Sequence, residues 1–308
     1  MTAAAAAGLL GRLTLSWLAV VAAAFVLLRL MPGDPIELFL AELNVRSGPE
    51  IVAAYRTKWG LDGSLGGQFL NWLGGFLTLD WGSSFQTGQS IAADFARRIP
   101  YSVAIGFGGM TIAILGGFAL GFAAAHRQDG WADTLSRGLA VAGQALPAFA
   151  VGLVLLWIFS VQLRWVNPFG GGHVEQMLLP ITLVAMFSIG SLSRLARAGF
   201  VEVKQSAYYQ TALAKGRSAA GALWHHGRAA SALTVIAGLA PEMAWLVGGT
   251  TIAEIVFGVP GLSERVVQAV NHRDYAVLQP YIALVALWVA LVLQGAALLR
   301  RSLDPRLP

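Results

Sequence analysis

RLARAGFVEVKQSAYYQTALAKGRSAAGALWHHGRAASAL, residues Arg194 to Leu233, is a basic, helix-forming stretch between two long apolar runs. Its positive side chains are Arg194, Arg197, Lys204, Lys215, Arg217 and Arg228, and its one acid is Glu202. Between membrane-spanning segments, an excess of Lys and Arg marks a cytoplasmic loop. This one is far longer than a connector needs to be. It reads as a docking surface for something soluble, carried by helices that cross a bilayer.

The composition agrees. Of 308 residues, 56% are hydrophobic and 12% charged, and the mean hydropathy is +0.64. A soluble domain carries about 25% charged residues, so most of this surface must face lipid. The net charge of +5 and pI near 9.9 fit a basic bias toward the inner side of a membrane better than nucleic-acid binding. The absence of cysteine excludes disulfides and thiolate metal sites. The apolar run from Leu13 to Met31 is longer than a secretory signal core and reads as a retained first membrane helix.

Six runs are each long enough to cross a hydrocarbon core about 30 Å thick. They lie near 11–31, 100–125, 137–160, 176–196, 230–252 and 279–300. Each must be helical, because an open sheet leaves backbone groups unsatisfied in lipid. The predicted fold is an all-α integral membrane protein with six transmembrane helices. Residues 1–31 hold the N-terminus and first helix, and 32–99 form a small extracytoplasmic helical segment. Residues 100–308 form the core, with the basic loop at about 197–229. With the N-terminus inside, Arg12 and the inner segments hold 12 basic residues against 8 outside. Both termini are therefore predicted to be cytoplasmic.

Within 32–99, Pro32 to Pro35 end the first helix. Short helices are predicted over Pro49 to Trp59, Gln68 to Leu77 and Ser90 to Arg98, with Pro100 opening the second membrane helix. Trp59, Trp72 and Trp81 are expected to anchor this cap at the interface. The cap could also receive a soluble partner on the outer face.

No catalytic set is visible. His126, His173, His225, His226 and His272 lack zinc-hydrolase spacing, and there is no nucleophile elbow or phosphate loop. His225 and His226 are adjacent, so on a helix they point about 100° apart and share no face well. Glu242 follows Pro241 inside the fifth run, where an ionisable group is a functional candidate by default. Two readings stay open for it: a pore-lining kink, or a structural acid paired elsewhere. Arg29, near the end of the first helix, is expected to snorkel to the headgroups. Gly116, Gly117 and Gly121 permit close helix packing, and Pro147 predicts a kink.

QTALAKG (Gln210 to Gly216), followed by His225 and Arg228, resembles the EAA loop of permease subunits of bacterial ATP-binding-cassette importers. The ordered set LRLMPGDP (Leu28 to Pro35), WGLD (Trp59 to Asp62), LTLDWGSSF (Leu77 to Phe85) and RRIP (Arg97 to Pro100) extends the likeness. So do RLARAGFVEV (Arg194 to Val203), GGTTIAEIVFGVPGL (Gly248 to Leu262), NHRDYAVLQ (Asn271 to Gln279) and LDPR (Leu303 to Arg306). The chain is thereby similar, nearly end to end, to the first permease of the dipeptide/oligopeptide/nickel family. It departs from the pattern at Gln210 and Leu213, where basic residues are usual, at Leu233, near which proline is common, and at Ser263, where glycine is common.

The resemblance implies a type I importer permease forming half of a pore in the bacterial inner membrane. Its implied partners are a second homologous permease, two ATPase subunits and an extracytoplasmic solute-binding protein. The chain would bind no cofactor itself; ATP and magnesium belong to the ATPases. A coupling helix is implied near Ala212 to Ala220, with Gln210, Thr211, Ala212, Ala214, Lys215, Gly216, His225 and Arg228 forming the ATPase-coupling loop. Gly216 would supply a backbone turn. Pro241 and Glu242 would lie on the translocation path. Glu254, Phe257, Pro260, Gly261 and Asp274 would form an outer gate motif. The loop from Trp165 to Met177 and the form LTLDWGSSF look most like nickel or metal-chelate permeases, with short peptides as the other cargo. The rival class, an ion-gradient-driven secondary transporter, calls for paired broken helices and several midplane ionisable groups.

Overall fold

A computed structural model describes residues 3–45, 48–167 and 174–303. His173, part of the 165–177 loop and most of the terminal LDPR lie outside the described residues. Among those described the fold is helical throughout: α1 (Ala3–Leu30), α2 (Pro35–Glu42), α3 (Pro49–Lys58), α4 (Leu65–Leu77), α5 (Ile91–His126), α6 (Trp131–Ala145), α7 (Ala148–Leu156), α8 (Val174–Lys204), α9 (Ala207–Ala214), α10 (Ala219–Val256), α11 (Leu262–Asn271) and α12 (Tyr275–Leu303). Five helices are long and apolar enough to cross a membrane, within α1, α5, α8, α10 and α12. The sixth predicted span is a bent pair, α6 and α7 with the π-turn Trp157–Gln162, meeting at 108°.

That bend is sharper than the kink predicted at Pro147. The cause is local: a proline pushes the residue before it out of the helical region. Leu146 is extended, with φ −88° and ψ 134°. Pro100 behaves in the opposite way. The separate helix predicted before it does not exist, because α5 runs through it for 36 residues. One missing amide donor is tolerated when the helix on either side is otherwise bonded. The sequence reading also missed α2. Asp34 caps it, its side chain accepting from the Ile36 amide at 2.8 Å, and Pro35 occupies the first helical position.

The chain divides into two units. One comprises Met1–Ile99 and Glu264–Ala290. Its interior is aromatic: Phe76 stacks on Trp81 at 5.6 Å, and Trp59 on Phe85 at 4.3 Å. Trp72 and Trp81 pack with Val21, Phe76 and Ala283. The tryptophans predicted as interfacial anchors are thus half-buried against their own chain.

The other unit comprises Pro100–Ser263 and Leu291–Pro308. In it α8 packs against α6, α10 and α5. A Cβ on Gly121 would lie 2.6 Å from the Ala196 Cβ, one on Gly190 2.6 Å from the Ala140 Cα, and one on Gly199 2.6 Å from the Ser231 Cα. Backbones therefore meet with no side chain between them, the usual basis of helix packing in lipid.

Candidate functional site

The basic loop opens at the end of α8. Ser206 caps α9, accepting from the Tyr209 amide. Tyr209 and Ala212 turn inward, where they join Ala125, Phe200, Val203, Ala222 and Leu223 in one buried cluster. The opposite face of α9 is open: Tyr208, Gln210, Thr211, Ala214 and Lys215 are exposed. The helix ends in a paired motif. The Arg217 amide donates to the Ala212 carbonyl at 3.1 Å and the Gly216 amide to Leu213 at 2.9 Å. This arrangement needs a left-handed residue at Gly216, and its φ is +83°. Ser218 then caps α10.

The implied coupling helix at Ala212 to Ala220 therefore straddles a turn, and the helical element available is α9. Ala212 is buried in the chain's own core rather than offered to a partner. His225 and Arg228 are exposed on the first turns of α10. The rings of His225 and His226 are 4.9 Å apart and at 88° to each other. No cluster of three or more His, Cys, Asp or Glu is placed to hold a metal among the described residues.

Beside this loop sits an ion pair that sequence reasoning missed. Asp133, on the first turn of α6, has no exposed surface and binds Arg197 of α8 at 2.8 Å. Arg137 reaches the same carboxylate at 3.1 Å, and the Asp129 amide donates to it at 3.0 Å. The only local signal is an acid in a first helical turn with an arginine four residues on.

Glu242 finds its partners within the chain. The Ser191 hydroxyl donates to it at 2.7 Å and the Ser188 hydroxyl at 3.1 Å, both from α8. Pro241 lies exposed beside it, in an unbroken α10. The implied outer gate motif separates into two clusters. Glu254 is fully buried and accepts from Ser102 at 2.7 Å and Thr250 at 2.8 Å. A Cβ on Gly261 would fall 2.2 Å from its carboxyl carbon. Phe257 is buried at the end of α10 and Pro260 is half-buried. Asp274 belongs instead with Ser84, which donates to it at 2.5 Å, the Phe85 amide at 3.1 Å, and Arg265.

Comparison with known proteins matches residues 117–307 to the family described as "Binding-protein-dependent transport system inner membrane component". The chain is 32% identical over 285 residues to the glutathione transport system permease protein GsiC of Salmonella typhimurium, covering 91% of each chain. It is 28% identical over 291 residues to the "Probable peptide ABC transporter permease protein y4tP" of Sinorhizobium fredii, covering 92% of each. A solved structure titled "Crystal structure of an amino acid ABC transporter with histidines" aligns with TM-score 0.49 and 16% identity, over 68% of this chain and 94% of that one. On the extent of the family match and on the identity to full-length relatives, the chain belongs to the family of binding-protein-dependent transport system inner membrane components.

Proposed function

We propose that this chain is half of the pore of an ABC importer for short peptides or glutathione, driven by separate ATPases that dock on the face of α9. Family membership makes it a permease component and not itself an enzyme. The observation that carries the coupling reading is the capped α9, seated on a buried cluster by Tyr209 and Ala212 while Tyr208, Gln210, Thr211 and Lys215 stay open. The peptide reading rests on the names of two relatives, a glutathione transport permease and a probable peptide permease. The earlier expectation of nickel draws no specific support from them. A secondary transporter is not favoured either. The partners would be a second permease, two ATPases holding ATP and magnesium, and an extracytoplasmic binding protein. The cargo test is uptake in proteoliposomes holding the complete importer. ATP-dependent accumulation of a tritiated tripeptide, unaffected by excess nickel, is expected. Nickel accumulation without peptide uptake would reverse the assignment.

Both termini and α9 would be cytoplasmic, and 36–96 extracytoplasmic, by the distribution of basic residues. Single cysteines in this cysteine-free chain test that. Serines that cap helices, such as Ser64 and Ser218, are avoided, because each hydroxyl holds a helix start, worth about 1 kcal/mol. Thr57→Cys and Lys215→Cys change exposed side chains instead. An impermeant reagent outside intact cells is expected to label Thr57→Cys alone. Labelling of Lys215→Cys alone would invert the topology.

A further inference from the structure

The unit built from Met1–Ile99 and Glu264–Ala290 forms an open-mouthed cavity of about 720 Å³. That size suits a drug-sized ligand, since small-molecule pockets run about 300–1,000 Å³. Its lining contains two cations, Arg29 and Lys58, and no aspartate or glutamate. Arg29 is not snorkelling. Its guanidinium donates to the Gln68 carbonyl oxygen at 3.3 Å and lies 3.8 Å from the centre of the Phe25 ring. Gln279, in the amide orientation its surroundings require, accepts from the same group. Among the described residues no ion pair joins Arg29 to any carboxylate. It is a half-buried charge, held in a fixed direction by two neutral amides.

An arginine so placed carries a positive charge that no carboxylate of the lining balances, and an anion such as a carboxylate or phosphate can take a charge-assisted hydrogen bond from it. The remaining walls tell more about the ligand. Trp59, Trp72 and Trp81 offer flat apolar surfaces. Asn71, Ser83 and Thr87 add neutral hydrogen-bonding groups suited to amides. The wall containing Ser83 and Thr87 is itself anchored. Ser84 and Phe85 are tied to Asp274, and Arg265 braces Ser84 at 3.0 Å. Most of the lining comes from the short helices and loops after α1, which favours a solute over a lipid headgroup.

We infer that this cavity binds a small organic carboxylate carrying amide groups, its carboxylate on Arg29 and its body against the tryptophans. The inference concerns a site apart from α9. It shares only the expected cargo class with the importer reading, and equilibrium binding needs no ATPase, so the two can fail separately.

The test uses the purified full chain in phosphatidylcholine nanodiscs, with trialanine as the probe and saturation-transfer NMR as the readout. Saturable binding is expected, with the C-terminal amide of trialanine at least roughly tenfold weaker, because a charge-assisted pair is lost. Arg29→Gln is expected to abolish binding. Lys58→Gln, at an exposed position, is expected to weaken it severalfold. The acid-versus-amide comparison is made on the unaltered protein, so it stands even if Arg29→Gln misfolds. Equal binding of acid and amide, or no saturable binding, overturns the inference. So does loss of trialanine binding when phosphatidylglycerol is added to the nanodisc, which would assign the cavity to a lipid headgroup.

Discussion

Replacing Gly216 by aspartate is expected to leave the chain in the membrane and to reduce both cargo-stimulated ATP hydrolysis and uptake to background. Two effects are separable. Gly216 has φ +83°, which a side chain adopts at a cost of about 1–2 kcal/mol. A Cβ there would meet nothing within 4 Å in this chain. Any steric effect of the new side chain must therefore fall on a partner. Asparagine tolerates the left-handed region better than most residues, so Gly216→Asn isolates the steric part. If α9 docks on the ATPase, Gly216→Asn should also lose uptake, while the apparent Tm of the isolated chain stays close to wild type. Wild-type ATPase stimulation and uptake in both variants would mean that this loop is not the coupling element.

The second large effect is expected at the buried ion pair. Arg197→Met removes the cation that donates at 2.9 Å to Asp133, a carboxylate with no exposed surface. Breaking such a pair costs roughly 3–5 kcal/mol, because the remaining charge stays buried. Arg137 compensates little, since its side chain is more than half exposed. The double variant Asp133→Asn with Arg197→Met should recover a large part of the loss, because it removes the buried charge as well. The check is the apparent Tm of the purified chain in detergent. A near wild-type single variant, or a double variant less stable than the single, would show that the pair does not hold α6 to α8.

These two positions also show what was legible in the sequence. Gly216 could be read because it closes the QTALAKG motif, whose resemblance implies a turn there, and glycine takes a left-handed turn without strain. The membrane helices could be read because their length and apolarity are set by the bilayer. The Asp133–Arg197 pair spans 64 residues, and Ser84 to Asp274 spans 190. Partners so far apart leave no periodic trace, so neither contact was foreseen. Proline was the ambiguous signal. Pro147 breaks its helix and Pro100 does not, although each lacks the same donor and exerts the same push on the residue before it. Arg29 was misread for a related reason. Snorkelling is the default for a basic residue near a helix end, and only the fold brings Gln68 and Gln279 around it.

The backbone contacts along α8 have a mechanical consequence. Gly121, Gly190 and Gly199 bring α5, α6 and α10 against it with no layer of side chains between. Side chains that can change rotamer act as springs, and they absorb displacement where helices meet through them. Here there is little to compress. A force applied at α9 would reach α8 and α10 with low compliance, and the helices joined at these glycines would move as one stiff body. A methyl group added at Gly190 should therefore do more than lower stability. By prying the backbones apart it should introduce slack, so that ATP is still hydrolysed while less of the stroke reaches the pore.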